Sequence, residues 1–209
     1  MRVAPKNFSD LRYLISKIGL APLRGILIWF FLAKSSSIPF IGKNVKIISA
    51  RKLRIGKLVW ISHGCYIDAD SVSTNVIGNG VTLREHCVVQ CRSGLNEMGQ
   101  GLIIGSNVFV GPFAKIGVGG RVEIGAGCQI GSHFSVNAES HSTNGGNYTS
   151  GVVERKGIKI GKNVWIGDKV TILDGVTIGD NSVIGAGAVV NKSFPNDSKI
   201  VGVPARAID

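Results

Sequence analysis

Branched aliphatic residues recur at every sixth position through most of the chain. Ile104, Val110 and Ile116 are followed by Ile124, Ile130 and Val136, and later by Ile160, Ile166, Ile172, Ile178, Ile184 and Val190. Ile55, Ile61, Ile67, Ile77, Leu83 and Val89 set the same beat earlier. All eighteen positions hold Ile, Val or Leu, and glycine follows in eleven of them. Four residues after the aliphatic stands a smaller side chain, such as Val59, Cys65, Ser71, Cys87, Ala114, Cys128 or Ala188, with Phe134 the main exception. A period of six fits neither the 3.6-residue helical turn nor a heptad. It suits a short strand and a corner, repeated, with the aliphatic inward and the small residue filling the remaining space. Three such units close one coil, and coils stack as parallel strands about 4.8 Å apart. The pattern therefore predicts an all-β protein, a parallel β-helix of hexapeptide repeats with six coils.

The beat slips four times. Four extra residues precede Ile77, nine precede Ile104, two precede Ile124 and eighteen precede Ile160. The longest insertion, 142–159, is rich in Gly, Ser, Thr and Asn and is expected to leave the column as a protruding loop with His141 at its root. Residues 41–192 form the predicted β-helix domain, and 193–209 form a tail without the period. Residues 1–40 differ in kind. Leu11, Leu14, Ile15 and Ile18 follow helical spacing after Ser9-Asp10, a helix start with its cap. Pro22 ends that helix or begins another, and Ile26 to Leu32 is wholly apolar.

Charge sharpens the contrast between the ends. The chain of 209 residues has 24 Lys and Arg against 13 Asp and Glu, a net +11. Residues 1–60 hold 12 of the cations and one acid, Asp10, so the whole excess lies there and the remainder is neutral. Cations around an apolar, aromatic segment suit contact with an anionic membrane surface. A segment capping the open end of the β-helix, or packing within an oligomer, is the alternative reading. Nucleic acid suits the pattern poorly, because the cations are mixed with a strongly apolar face. No apolar run reaches membrane-spanning length. The four cysteines form no C-x-x-C pair, and no secretory leader is read, so a reducing, cytoplasmic setting is expected. Cys65, Cys87 and Cys128 fall in the small interior slot; Cys91 does not.

The stretches Ile160-Gly161-Lys162-Asn163-Val164-Trp165-Ile166-Gly167, Gly175-Val176-Thr177-Ile178-Gly179-Asp180, Ile184-Gly185-Ala186-Gly187 and Val201-Gly202-Val203-Pro204-Ala205-Arg206 resemble the hexapeptide-repeat acyltransferases. The branch is that of the sugar O-acetyltransferases related to maltose, galactoside and nodulation acetyltransferases. The basic, apolar front end adds a similarity to capsule, colanic-acid and O-antigen acetyltransferases. The resemblance implies a left-handed coil, a homotrimer, and acetyl-CoA as co-substrate in grooves between subunits, with no metal required. It implies His141 as the catalytic base, acting on a hydroxyl of a sugar or polysaccharide-precursor acceptor. An imidazole titrating near neutrality suits that task. A backbone N–H near Gly167–Asp168 is the candidate oxyanion donor.

For acetyl-CoA, the positions that match are Trp165, Gly167, Asp168, Gly185, Ala186, Asn191, Lys192 and Arg206. Gly185 and Gly187 would admit the pantetheine arm, and Lys192 and Arg206 would meet phosphates. The branch carries an acceptor-binding Asn where this chain has Gly111, and Asn137 is a candidate substitute; a final basic residue is replaced by Asp209. Three readings stand side by side: an O-acetyltransferase at the cytoplasmic membrane face, an N-acetyltransferase on an amino sugar or amino acid, and a β-helical scaffold without chemistry. A zinc hydratase on the same fold would need three convergent histidines, and His63, His86, His133 and His141 lack its H-x4-H spacing.

Overall fold

The structure is a computed structural model and describes residues 7–33, 35–141 and 153–209. Most of the predicted protruding loop, 142–152, therefore lies outside the described residues, as do the side chains of Leu11, Leu14 and Ile15. The chain winds into a three-sided column. Sheet 1 has nine strands, from Phe40–Ile41 to Arg206–Ile208; sheet 2 has seven, from Lys46–Ile48 to Val189–Val190; sheet 3 has six, from Leu53–Ile55 to Thr177–Ile178. Successive strands visit sheets 1, 2 and 3 in turn, and neighbours within each sheet are parallel and in register, as in Ile116 beside Val136 beside Ile172. Within these three sheets, among the described residues, only Arg206–Ile208 runs antiparallel, closing the far edge of sheet 1.

All eighteen aliphatics of the six-residue beat point inward and are buried. The register also extends past both ends of the run read from sequence. Ile41 and Ile47 begin an additional coil, and Phe194 and Ile200 continue the column into the tail through Phe194 pairing with Ile178 and Lys199–Val201 with Val183–Ile184. Irregular spacing hides these positions: eight residues separate Ile47 from Ile55, and four separate Val190 from Phe194. The small slot holds as read. Cys65, Cys87 and Cys128 are buried there, and so is Phe134. Cys91 is buried as well, donating to the Asn75 side-chain carbonyl at 3.5 Å, and burial pushes its thiol up to about 12.

Two backbone devices make the corners. At most corners one position of the backbone is left-handed, as at Asn107, Asn163, Asn181, Gly80 and Gly127, as tight turns require. At another the coils approach so closely that a side chain has no room. A Cβ on Gly125 would lie 2.3 Å from the carbonyl oxygen of Gly161.

All four predicted slips fall at one corner, between sheets 2 and 3. Each insertion leaves a strand of sheet 2 and returns to sheet 3, so the extra segments stack on one edge as a ridge. Two of them form antiparallel hairpins, Arg92–Gly94 with Glu97–Met98 and Ser140–His141 with Val153–Glu154.

Helix α1 (Phe8–Ile18) leads into helix α2 (Ala21–Trp29), which closes the near end. Ala21 and Gly25 of α2 are buried, and Ile28 and Leu32 pack on the first coil's core. The chain after α2 pairs with the first coil, Ala33 N–H donating to Leu53 and Ser36 N–H to Ile55. No helix among the described residues is long and apolar enough to cross a membrane.

Gly125→Ala is expected to lower the urea midpoint, costing about 1–3 kcal/mol through forced displacement of the next coil. Gly187→Ala meets no atom within 4 Å but has φ +71°, so it should cost only the left-handed strain, about 1–2 kcal/mol.

Candidate active site

The column sorts the candidate residues into two groups on different edges. The first lies on sheet 1 and its corner with sheet 2. Trp165, Gly167, Asp168 and Ala186 line one open cleft of about 360 Å³ with Phe109 and Gln129. Phe109, Gln129 and Trp165 are in register on adjacent strands, so their outward side chains form one column. Phe109 and Gln129 escaped the sequence reading, although each stands directly before an inward residue of sheet 1, as Trp165 does before Ile166.

Asp168 has a structural duty. Its Oδ1 accepts the Ser132 N–H at 2.7 Å, tying two coils together. That bond holds its carboxyl below the usual carboxylate range. Asp180 does the same for Lys162 N–H, and Asn196 for Asp180 N–H. At the next coil the corresponding residue is Ala186, whose methyl accepts nothing. Among the described residues the N–H of Asp168 consequently has no acceptor, whereas that of Gly167 donates to Ile184. Of the two N–H groups considered for an oxyanion, Asp168's is the one free to serve.

Gly111, Gly167 and Gly185 sit above one another at this corner. The first two are confined by the neighbouring coil's backbone, and Gly185 lies against Val201, whose Cγ1 a Cβ would approach to 2.9 Å. Gly111 and Gly167 are thus required by stacking itself. Arg206 pairs with Val201 at the end of sheet 1 and is exposed. The same corner carries a stack of rings that spacing did not reveal. His86, Phe113 and His133 lie face to face at 5.2 and 5.1 Å, with His63 edge-on to His86 at 5.0 Å. Among the described residues no group of three His, Cys, Asp or Glu is placed to hold a metal.

The second group lies on the ridge edge. His141 is exposed on a strand paired with Val153–Glu154. Two residues earlier, the Glu139 carboxylate is 3.4 Å from Arg155 Nε, and Arg155 Nη2 meets Glu97 at 2.6 Å. Arg155 Nε is buried and not aligned for a hydrogen bond. Arg155 thereby joins the base of the His141 hairpin to the tip of the neighbouring hairpin, an arrangement the sequence did not disclose. Asn137 is on the same side of the column, its Nδ2 donating to the Glu139 carbonyl at 3.3 Å. Asn191 and Lys192 follow the last strand of sheet 2 and lie on this edge also, with Lys192 Nζ 5.6 Å from the centre of the Phe194 ring. Within one chain they do not join the Trp165 cleft, and Gly111 does not join Asn137.

A family model described as bacterial transferase hexapeptide (six repeats) matches residues 157–192. The chain is a left-handed β-helix built of hexapeptide repeats. The chain is similar to several solved structures, and the fold is shared with the first. AntD, an N-acyltransferase from Bacillus cereus in complex with dTDP and 3-hydroxybutyryl-CoA, is 23% identical with a TM-score of 0.60, over 88% of this chain and 86% of that chain. A maltose O-acetyltransferase from Clostridium difficile 630 is 21% identical with a TM-score of 0.45, over 99% of this chain and 78% of that chain. The polySia specific acetyltransferase NeuO is 23% identical with a TM-score of 0.46, over 85% of this chain and 78% of that chain. No curated protein matches the sequence significantly. The matched segment includes the strand residue Trp165 and the corner residues Gly167, Asp168, Gly185 and Ala186.

Because the Asp168 carboxyl is held below its ordinary value, its contribution is complete above the usual carboxylate range and is lost as pH falls through the folded-state value. Asp168→Ala should melt earlier than the parent at neutral pH, and the difference should shrink in acid. Asp168→Asn, which keeps an acceptor for Ser132 N–H, should fall between them in thermal melts across that pH range.

Proposed function

We propose that the protein is an acetyl-CoA-dependent O-acetyltransferase acting on a sugar hydroxyl, in a cell-surface polysaccharide or its precursor. The observation that carries the reading is the exposed imidazole of His141 at the base of the longest insertion, on a column whose 157–192 segment matches the bacterial transferase hexapeptide model. In the proposed step, His141 takes the proton of the acceptor hydroxyl as its oxygen attacks the thioester carbon of acetyl-CoA. The tetrahedral oxyanion is met by the Asp168 N–H. Collapse expels the CoA thiolate, which recovers the proton from the imidazolium, leaving acetylated sugar and free CoA.

The acyl donor would lie along the Trp165 cleft, with Trp165, Gly167, Asp168, Gly185 and Ala186 against its pantetheine arm and Arg206 near its phosphates. A homotrimer belongs to this proposal for a geometric reason. One copy keeps His141, Asn137, Asn191 and Lys192 on an edge apart from the cleft, so the ridge of one copy must lie against sheet 1 of the next for base and thioester to meet. Gly111 would then face the acceptor from the cleft side and Asn137 from the ridge. The expected setting is cytoplasmic, with residues 1–40 turned toward a membrane or a neighbouring copy.

N-acylation of an amino sugar is the second reading, favoured by the fold shared with AntD, an N-acyltransferase; a shared fold leaves the acceptor open. Acceptor profiling with hydroxyl and amino sugars separates the two.

His141→Ala is expected to lower turnover by about 10²–10⁴-fold while the rise in melting temperature on adding acetyl-CoA is retained. That rise should correspond to about 2.7 kcal/mol at a hundredfold excess over Kd, and Trp165→Ala should reduce it. Undiminished turnover in His141→Ala would remove the imidazole from the mechanism. Absence of any acetyl-CoA effect on melting would favour the non-catalytic scaffold.

A further inference from the structure

Helix α2 is apolar on two opposite faces. One face, with Ala21, Gly25 and Ile28, is used against the first coil. The other, with Leu20, Leu23, Leu27, Phe30 and Phe31 in and around the helix, is exposed, Leu27 at 69% and Phe30 at 72%. The only charged side chain in α2, Arg24, is turned away from this face, its Nε donating to the Ile41 carbonyl at 2.9 Å. Among the described residues the outer face of α2 is thus apolar and uncharged.

Directly behind it runs a collar of cations. Lys43 stands at the corner of sheets 1 and 2, Lys46 on sheet 2, Arg51 at the ridge corner, Arg54 on sheet 3 and Lys57 at the last corner. All five are exposed and belong to the first coil. Among the described residues none of them is in an ion pair, while Lys52 of the same coil is held by Asp70 at 2.7 Å. An open groove of about 710 Å³ connects cap and collar, lined by Ile28, Phe31, Val45 and Ile47 together with Lys46 and Arg51.

We infer that this end of the column docks on an anionic phospholipid bilayer, with the outer face of α2 in the acyl–headgroup boundary, the collar at the level of the phosphates, and the groove occupied by a lipid phosphate. An apolar tip encircled by cations has the layering of an anionic leaflet: hydrocarbon first, negative charge behind it. A second copy fits worse. Joining two such ends would oppose two cation collars, and Asp10 is the single acid within residues 1–60 to offset them. The inference is independent of the acyl-transfer reading, since no residue of the cleft or ridge takes part.

The test is co-sedimentation of the full chain with vesicles of phosphatidylcholine alone and with about one-third phosphatidylglycerol. Binding is expected on the anionic vesicles only, weakening as salt shortens the screening length. Lys46→Gln with Arg51→Gln should weaken it roughly 25-fold, about fivefold for each cation. Leu27→Glu with Phe30→Glu should abolish it. Both pairs are exposed, so their melting temperatures and their response to acetyl-CoA should match the parent, which keeps this result separate from the fate of the transferase reading. Equal binding to neutral vesicles, no binding to either, or wild-type binding by the variants would overturn the inference. So would loss of self-association in Leu27→Glu with Phe30→Glu without any vesicle binding, which would assign the face to contacts between copies.

Discussion

Each coil of this protein must superimpose on the next, because its backbone hydrogen bonds run between coils rather than within them. Gly111 N–H donates to Ile130, Gly131 N–H to Ile166 and Gly167 N–H to Ile184. Everything at a given position therefore meets the same position one coil away. Aliphatics stack on aliphatics, small residues on small residues, and glycines stand where a Cβ would enter the neighbouring backbone. The constraint also accounts for residues that look out of place. His86, Phe113 and His133 occupy left-handed backbone, a conformation costing roughly 1–2 kcal/mol for such side chains. Their rings stack on one another, which returns part of that cost.

Stacking leaves freedom only where chain can be added without disturbing the column. The insertions all use one corner, so they also stack, and what they carry converges. Lys52 and Arg92 share Asp70, and one hairpin further on Arg155 lies between Glu139 and Glu97. Opposite charges on successive insertions hold the ridge together where an aliphatic ladder is absent. Partly exposed pairs of this kind are individually weak, and those of Arg155 tie the strand paired with His141 to the neighbouring hairpin.

The ends pose the other problem of a stacked fold, since an open sheet edge invites pairing. The far edge is finished by the antiparallel strand Arg206–Ile208, and the near end by α2 and the segment that pairs with Leu53 and Ile55. Closing the near end with a helix apolar on both sides creates a new exposed apolar surface, so the solution to one edge defines the place where the molecule meets something else.

The six-residue beat, the inward aliphatics and the small slot were all legible along the chain, because hexapeptide stacking imposes the same demand at every turn. The position of His141 was legible too, since an eighteen-residue break in so regular a beat marks a protrusion. Less was visible at the ends, where Ile41, Ile47, Phe194 and Ile200 keep the register through uneven spacing. What tertiary structure alone decided is which residues share an edge. It placed Phe109 and Gln129 beside Trp165, bound Asp168 to Ser132, set Arg155 against Glu139 and Glu97, and kept His141 apart from the cleft. These relations join residues one or more coils apart, across insertions of different lengths. Local spacing specifies the direction each side chain takes from the column, whereas the neighbour it meets depends on how many residues the intervening corners consume.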